Sequence, residues 1–159
     1  MKRRHLVGTF AVLPLLNTGN FAFAHHGWSS FDQDRPIYLE GSVTQVNWRN
    51  PHAEIDIKIS PDLRLPSDLA QRTLPAQTAP VDGKALLGRA VLPQRKDAVW
   101  EVELAPLTRL EAWNLPQIRV GAQVSVLGFT FAEEKGEAIL RAEYLFVNGK
   151  VYGLRSSPA

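Results

Sequence analysis

The sequence predicts a mainly β chain folded as a small OB-like Greek-key β-barrel with one short helix between strands 3 and 4. Five segments have the alternation or apolar density of strands, and their order is strand, strand, strand, helix, strand, strand. The first of them is long and has two places to bend. The chain also has no cysteine, so a domain this small must protect its sheet edges by packing alone, which closure into a barrel achieves. An open sandwich of the same strands is the alternative the pattern leaves.

Residues 37–48 read as the first strand, with Leu39, Gly41 and Val43 in one phase and Val46 and Trp48 in the other. The slip at Thr44-Gln45 predicts a bulge, and Gly41 offers a second bend. Asn50-Pro51 ends the strand, because proline cannot donate to a ladder. Residues 53–60 alternate Ile55, Ile57 and Ile59 against Glu54, Asp56 and Lys58, the pattern of a half-buried strand. Residues 98–105 repeat it with Trp100, Val102 and Leu104 inward. Pro106 suits the first turn of a short helix carrying Leu107 and Leu110, which ends near Asn114-Leu115-Pro116. Residues 123–131 and 138–147 complete the strands, separated by a charged turn at 133–136. The tail from Gly149 is weakly specified.

Between the second and third strands, residues 61–97 hold five of the 11 prolines and no sustained period, so they read as a surface excursion. Within it, 85–92 suits a helical turn or an extra strand. No Gly-rich phosphate loop and no internal repeat is present.

Residues 1–24 have the parts of a secretory signal peptide: Lys2, Arg3 and Arg4, an apolar stretch at 6–16, then Ala22-Phe23-Ala24 as an A-x-A site. Arg3-Arg4 hints at a twin-arginine route. The apolar stretch is too short to span a bilayer. The expectation is therefore a periplasmic or secreted domain at 25–159, with no membrane span after cleavage. Loss of the leader removes three basic and no acidic residues from 18 Lys and Arg and 16 Asp and Glu, which leaves 15 against 16. A nearly neutral chain without a Lys/Arg run makes nucleic acid a poor partner.

Cleavage after Ala24 gives His25 a free α-amine, so one residue offers two nitrogens that close a chelate ring on a metal. His26 follows, and His52 stands just after the Asn50-Pro51 turn. Imidazole is the commonest side-chain metal ligand, and an α-amine with a pKa near 8 is readily deprotonated by a metal. His25, His26 and His52 are thus the candidate metal ligands, in a histidine-brace arrangement. Without a cysteine, and with methionine only at position 1, amine and imidazole nitrogens suit Cu(II) first, then zinc or nickel. Asp32, Asp34 and Trp28 are candidates for supporting positions around it. Because His52 lies at the far end of the first strand, the segment after His25 must run alongside the barrel to reach it, with Trp28 and Phe31 as apolar anchors. Glu54/Asp56 and Glu101/Glu103 fall on outward faces and read most simply as solvated, with lining of a groove as the alternative.

Three stretches resemble an uncharacterised family of secreted bacterial proteins, domain of unknown function 6152. They are Ala24-His25-His26-Gly27-Trp28-Ser29-Ser30-Phe31-Asp32, Leu39-Glu40-Gly41-Ser42-Val43, and Trp48-Arg49-Asn50-Pro51-His52-Ala53. Trp100-Glu101-Val102-Glu103-Leu104 and residues 121–128 resemble its closing strands. The resemblance implies export, a single small β domain, and His25, His26 and His52 as motif positions. It implies no activity.

There is no G-x-S-x-G, no H-E-x-x-H and no cysteine nucleophile, so the expected role is metal handling rather than catalysis. The alternative is a cofactor-free OB-type adaptor for a peptide, glycan or periplasmic protein, in which Trp48, Trp100 and Trp113 form the binding face. Copper-dependent oxidation is a third reading and requires a flat, exposed site.

Overall fold

A strand that must serve two partners has to be long and bent, and the first one is both. The computed structural model describes residues 27–159; the expected signal segment, His25 and His26 lie outside the described residues. β1 (Ile37–Asn47) pairs through Ile37 to Ser42 with β4 (Gln123–Phe129), and through Gly41 to Asn47 with β2 (Glu54–Ile59). Gly41 lies where the two ladders overlap. A Cβ there would sit 2.0 Å from the Lys58 carbonyl oxygen, so only glycine allows this close approach. The register slips between Val43 and Gln45, which is the expected bulge.

β2 pairs with β3 (Val99–Glu103), and β4 with β5 (Ile139–Val147), both antiparallel. β3 and β5 then pair in parallel, Glu101 to Glu103 against Ile139 to Arg141, and close five strands into the OB-like barrel. A helix, α2 (Leu107–Ala112), lies between β3 and β4 as expected, with Leu110 buried. The tail also forms a strand: β6 (Lys150–Gly153) extends the sheet beyond β5. The barrel interior is filled by Leu39, Val43, Ile55, Ile57, Trp100, Val102, Val126, Leu140 and Leu145, all at most 1% exposed.

The segment 61–97, read from sequence as a surface excursion, builds a second core on the barrel's outer face. It forms one 3-10 turn (Leu69–Gln71) and α1 (Gly83–Arg89), capped by Asp82, whose Oδ1 accepts from Ala85 N at 2.9 Å. Leu69, Leu86, Leu87 and Ala90 are buried against Tyr38, Leu127, Phe129, Tyr144 and Phe146. All nine residues of β5 are buried as a result, because one face meets the barrel interior and the other this outer layer. That double burial is why β5 reads as apolar density rather than alternation.

Leu87 distinguishes an integral layer from a dispensable loop. Leu87→Ala is expected to cost about 2–4 kcal/mol in urea unfolding, as for a core leucine; a loss under ~0.5 kcal/mol would mark the layer as peripheral.

Candidate functional site

Residues 27–36 form a strap that lies along the barrel, and aromatic packing holds it there. Trp28–Ser30 make a single 3-10 turn, Asp32 N donates to Thr130 O at 2.9 Å, and Phe31 and Phe131 form an isolated bridge. The rings of Phe31 and Phe131 stack at 5.1 Å, and Trp28 stands edge-on to Phe129 at 6.3 Å. Both residues thus act as the expected anchors. Trp28 also covers cations: the Arg155 guanidinium is 3.7 Å from its ring centre and that of Arg141 is 5.4 Å away.

Arg141 links the strap to the barrel seam. Its Nη2 lies 2.6 Å from Glu103 Oε2, with both side chains nearly buried, and the two residues are direct partners in the parallel β3–β5 ladder. Glu143, fully buried, accepts from Arg155 Nε at 2.7 Å and Gln77 Nε2 at 3.1 Å. Pairing makes these buried charges tolerable. Sequence reasoning read Glu103 as solvated and missed Arg141, Glu143 and Arg155. The available signal was an Arg-Ala-Glu interruption in the most apolar strand of the chain.

Across β2 from Glu103 stands Glu54, which accepts from Asn47 Nδ2 at 2.8 Å. His52 precedes it by two residues, half-buried, after a cis Asn50-Pro51 peptide bond. The turn is tied down on both sides: Asn50 Oδ1 accepts from Leu107 N at 3.1 Å, and Ala53 N donates to Ala105 O at 2.9 Å. The strap, the Arg141–Glu103 pair and Glu54, two residues beyond His52, therefore follow one another around the barrel wall, from the Ile37 end of β1 toward its Asn47 end.

The carboxylates on this face are not simply solvated, contrary to the sequence reading. Glu103 is buried. Burial first, then the charges of Glu54, Glu103, Asp56 and Glu137, push Glu101 up to about 7. Burial and Glu54 also raise Asp56.

The other expected site residues are placed less suggestively. Asp32 Oδ1 accepts from Asp34 N at 3.1 Å, a local turn bond, and Asp34 is exposed. His52 is the only histidine among the described residues, and no group of three His, Asp or Glu able to hold a metal occurs among them. Trp100 is fully buried, and Trp113 Nε1 donates to Ser156 O at 2.8 Å. Trp48 and Trp113 are half-buried, so of the three tryptophans of the adaptor alternative only Trp100 is withdrawn from the surface.

Fold and site together define a small closed β-barrel of OB type with a strap anchored over an ionic seam. Residues 13–63, which span the strap, β1, the Asn50-Pro51-His52 turn and β2, match the family of unknown function DUF6152. No curated protein and no solved structure matches the chain.

Glu101 gives this face a measurable pH signature. Its folded-state pKa is raised above the ordinary carboxylate value of 4.5, so the protonated form is favoured by folding and stability falls as pH rises from 4.5 through about 7. Discounted for solvent screening, the fall is on the order of 1 kcal/mol. Glu101→Gln should flatten that part of the stability curve; an unchanged slope would show that Glu101 ionises normally.

Proposed function

We propose that the protein is an exported metal-handling protein that binds one transition-metal ion, Cu(II) first, through His25 and His52 with His26 assisting. The α-amine and imidazole of His25 supply two nitrogens after cleavage at Ala24, and His52 supplies the third. Such a nitrogen-only set suits Cu(II) above zinc or nickel.

The observation that carries this reading is the course of the strap. Trp28 lies over Arg141, Arg141 pairs with Glu103, and Glu103 stands across from Glu54, two residues beyond His52. His25 precedes Trp28 by three residues, a reach of about 10 Å. The strap enters β1 at the end opposite the His52 turn, but this succession of neighbours leads around the barrel wall from Trp28 to the strand that follows His52, which supports a course of the preceding segment alongside the barrel. The half-buried position of His52 suits a ligand whose second ring nitrogen is oriented by a neighbouring acceptor. A bound metal would supply a Lewis-acidic and redox-active centre, held by the nitrogens of His25 and His52.

Calorimetric Cu(II) titration tests the reading. Protein beginning at His25 should take up one Cu(II), and His52→Ala should weaken binding by roughly tenfold or more. Protein with one extra residue before His25 should lose most of the affinity. Equal binding by the extended and cleaved forms would sink the brace.

A further inference from the structure

Where the outer layer stops short of covering the β4–β5–β6 surface, a pocket of about 480 Å³ opens between Arg72 and the β5–β6 turn. It lies apart from the strap and the His52 turn, and its chemistry owes nothing to them. Phe146 lines it, with the Arg72 guanidinium 5.1 Å from its ring centre. Arg72 is held in place from the excursion side by Asp68, whose Oδ2 accepts from Nε at 3.0 Å. The outer guanidinium nitrogens, which also interact with the Tyr38 hydroxyl, present the planar donor edge that matches a carboxylate.

The opposite wall is equally fixed. Asn148 and Gly149 both have positive φ, 52° and 71°, the geometry of a tight hairpin turn, and Lys150 follows directly. Lys150 is exposed and has no ion-pair partner among the described residues. Glu40 is the single acid in the lining, and it accepts from Tyr38 Oη at 2.6 Å. Two cations therefore face one engaged carboxylate across a cavity that has an aromatic ring and Val124 and Val151 among its lining residues. A volume of this size holds a one- or two-ring molecule.

We propose that this pocket binds a small aromatic carboxylate, its ring against Phe146 and its carboxylate between Arg72 and Lys150. The ring supplies contact area and the two cations supply orientation, so neither a bare anion nor a neutral aromatic satisfies both.

Titration of the ¹⁵N-labelled full chain with 2-naphthoate, followed by amide NMR, tests this. Shifts are expected at Ser125, Phe146, Gly149 and Lys150. Arg72→Gln and Lys150→Gln should each weaken binding, Arg72→Gln by roughly tenfold. Lys150 is exposed, so its variant keeps the test valid if Arg72→Gln does not fold. 2-Naphthamide should bind at least roughly tenfold more weakly, because it forfeits the charged contacts, and inorganic phosphate should not compete. Shifts centred elsewhere, unchanged affinity in the folded variants, or binding of the amide or phosphate equal to that of naphthoate would overturn the assignment.

Discussion

Five strands become a barrel only if the third and fifth pair, and the last residue pair of that short parallel ladder, Glu103 against Arg141, also carries a nearly buried ion pair. Either charge alone at that position would be strongly unfavourable, since removing one partner of a buried pair leaves an uncompensated charge. Pairing thus ties the register of the seam to the electrostatics of the core boundary. Slip by one residue would separate the charges and turn one of them inward. Arg141 has a second task on its outer side, where Trp28 and Phe31 pack over its guanidinium. Seam and strap are consequently coupled through a single side chain.

The outer layer extends the same logic to the other side of the sheet. Gln77, from the proline-rich segment, donates to the buried Glu143, and Arg155, from the tail, closes on the same carboxylate while lying over Trp28. The strap, the excursion and the tail, three pieces remote in sequence, thus converge on two neighbouring charged residues of β5. This convergence explains how a disulfide-free domain of this size orders segments that carry little secondary structure of their own. It also explains why β5 is buried along its whole length.

The barrel was legible because its signals are local. The period-two runs of β2 and β3, the slip at Thr44, the bend at Gly41 and the Pro106 helix start each follow from a few adjacent residues. The outer layer was not legible, because Leu69, Leu86 and Leu87 show their purpose only when Tyr38, Leu127 and Phe146 from three strands are set beside them. The ionic seam was hidden for a related reason: Glu103 continues an outward-facing alternation, and its burial comes from the parallel partner. Trp28 and Phe31 were legible as anchors. One carboxylate oxygen of Asp32 accepts a local turn bond from Asp34 N.

The proposed metal site requires the segment before Trp28 to bring His25 to the His52 turn, across the Arg141–Glu103 seam. Paramagnetic broadening by one equivalent of Cu(II) on protein beginning at His25 tests it most directly. The account predicts that amide signals of Trp28, His52, Ala53 and Glu103 vanish while those of Gly149 and Lys150 persist. Broadening confined to the strap, with His52 and Ala53 unaffected, would contradict it.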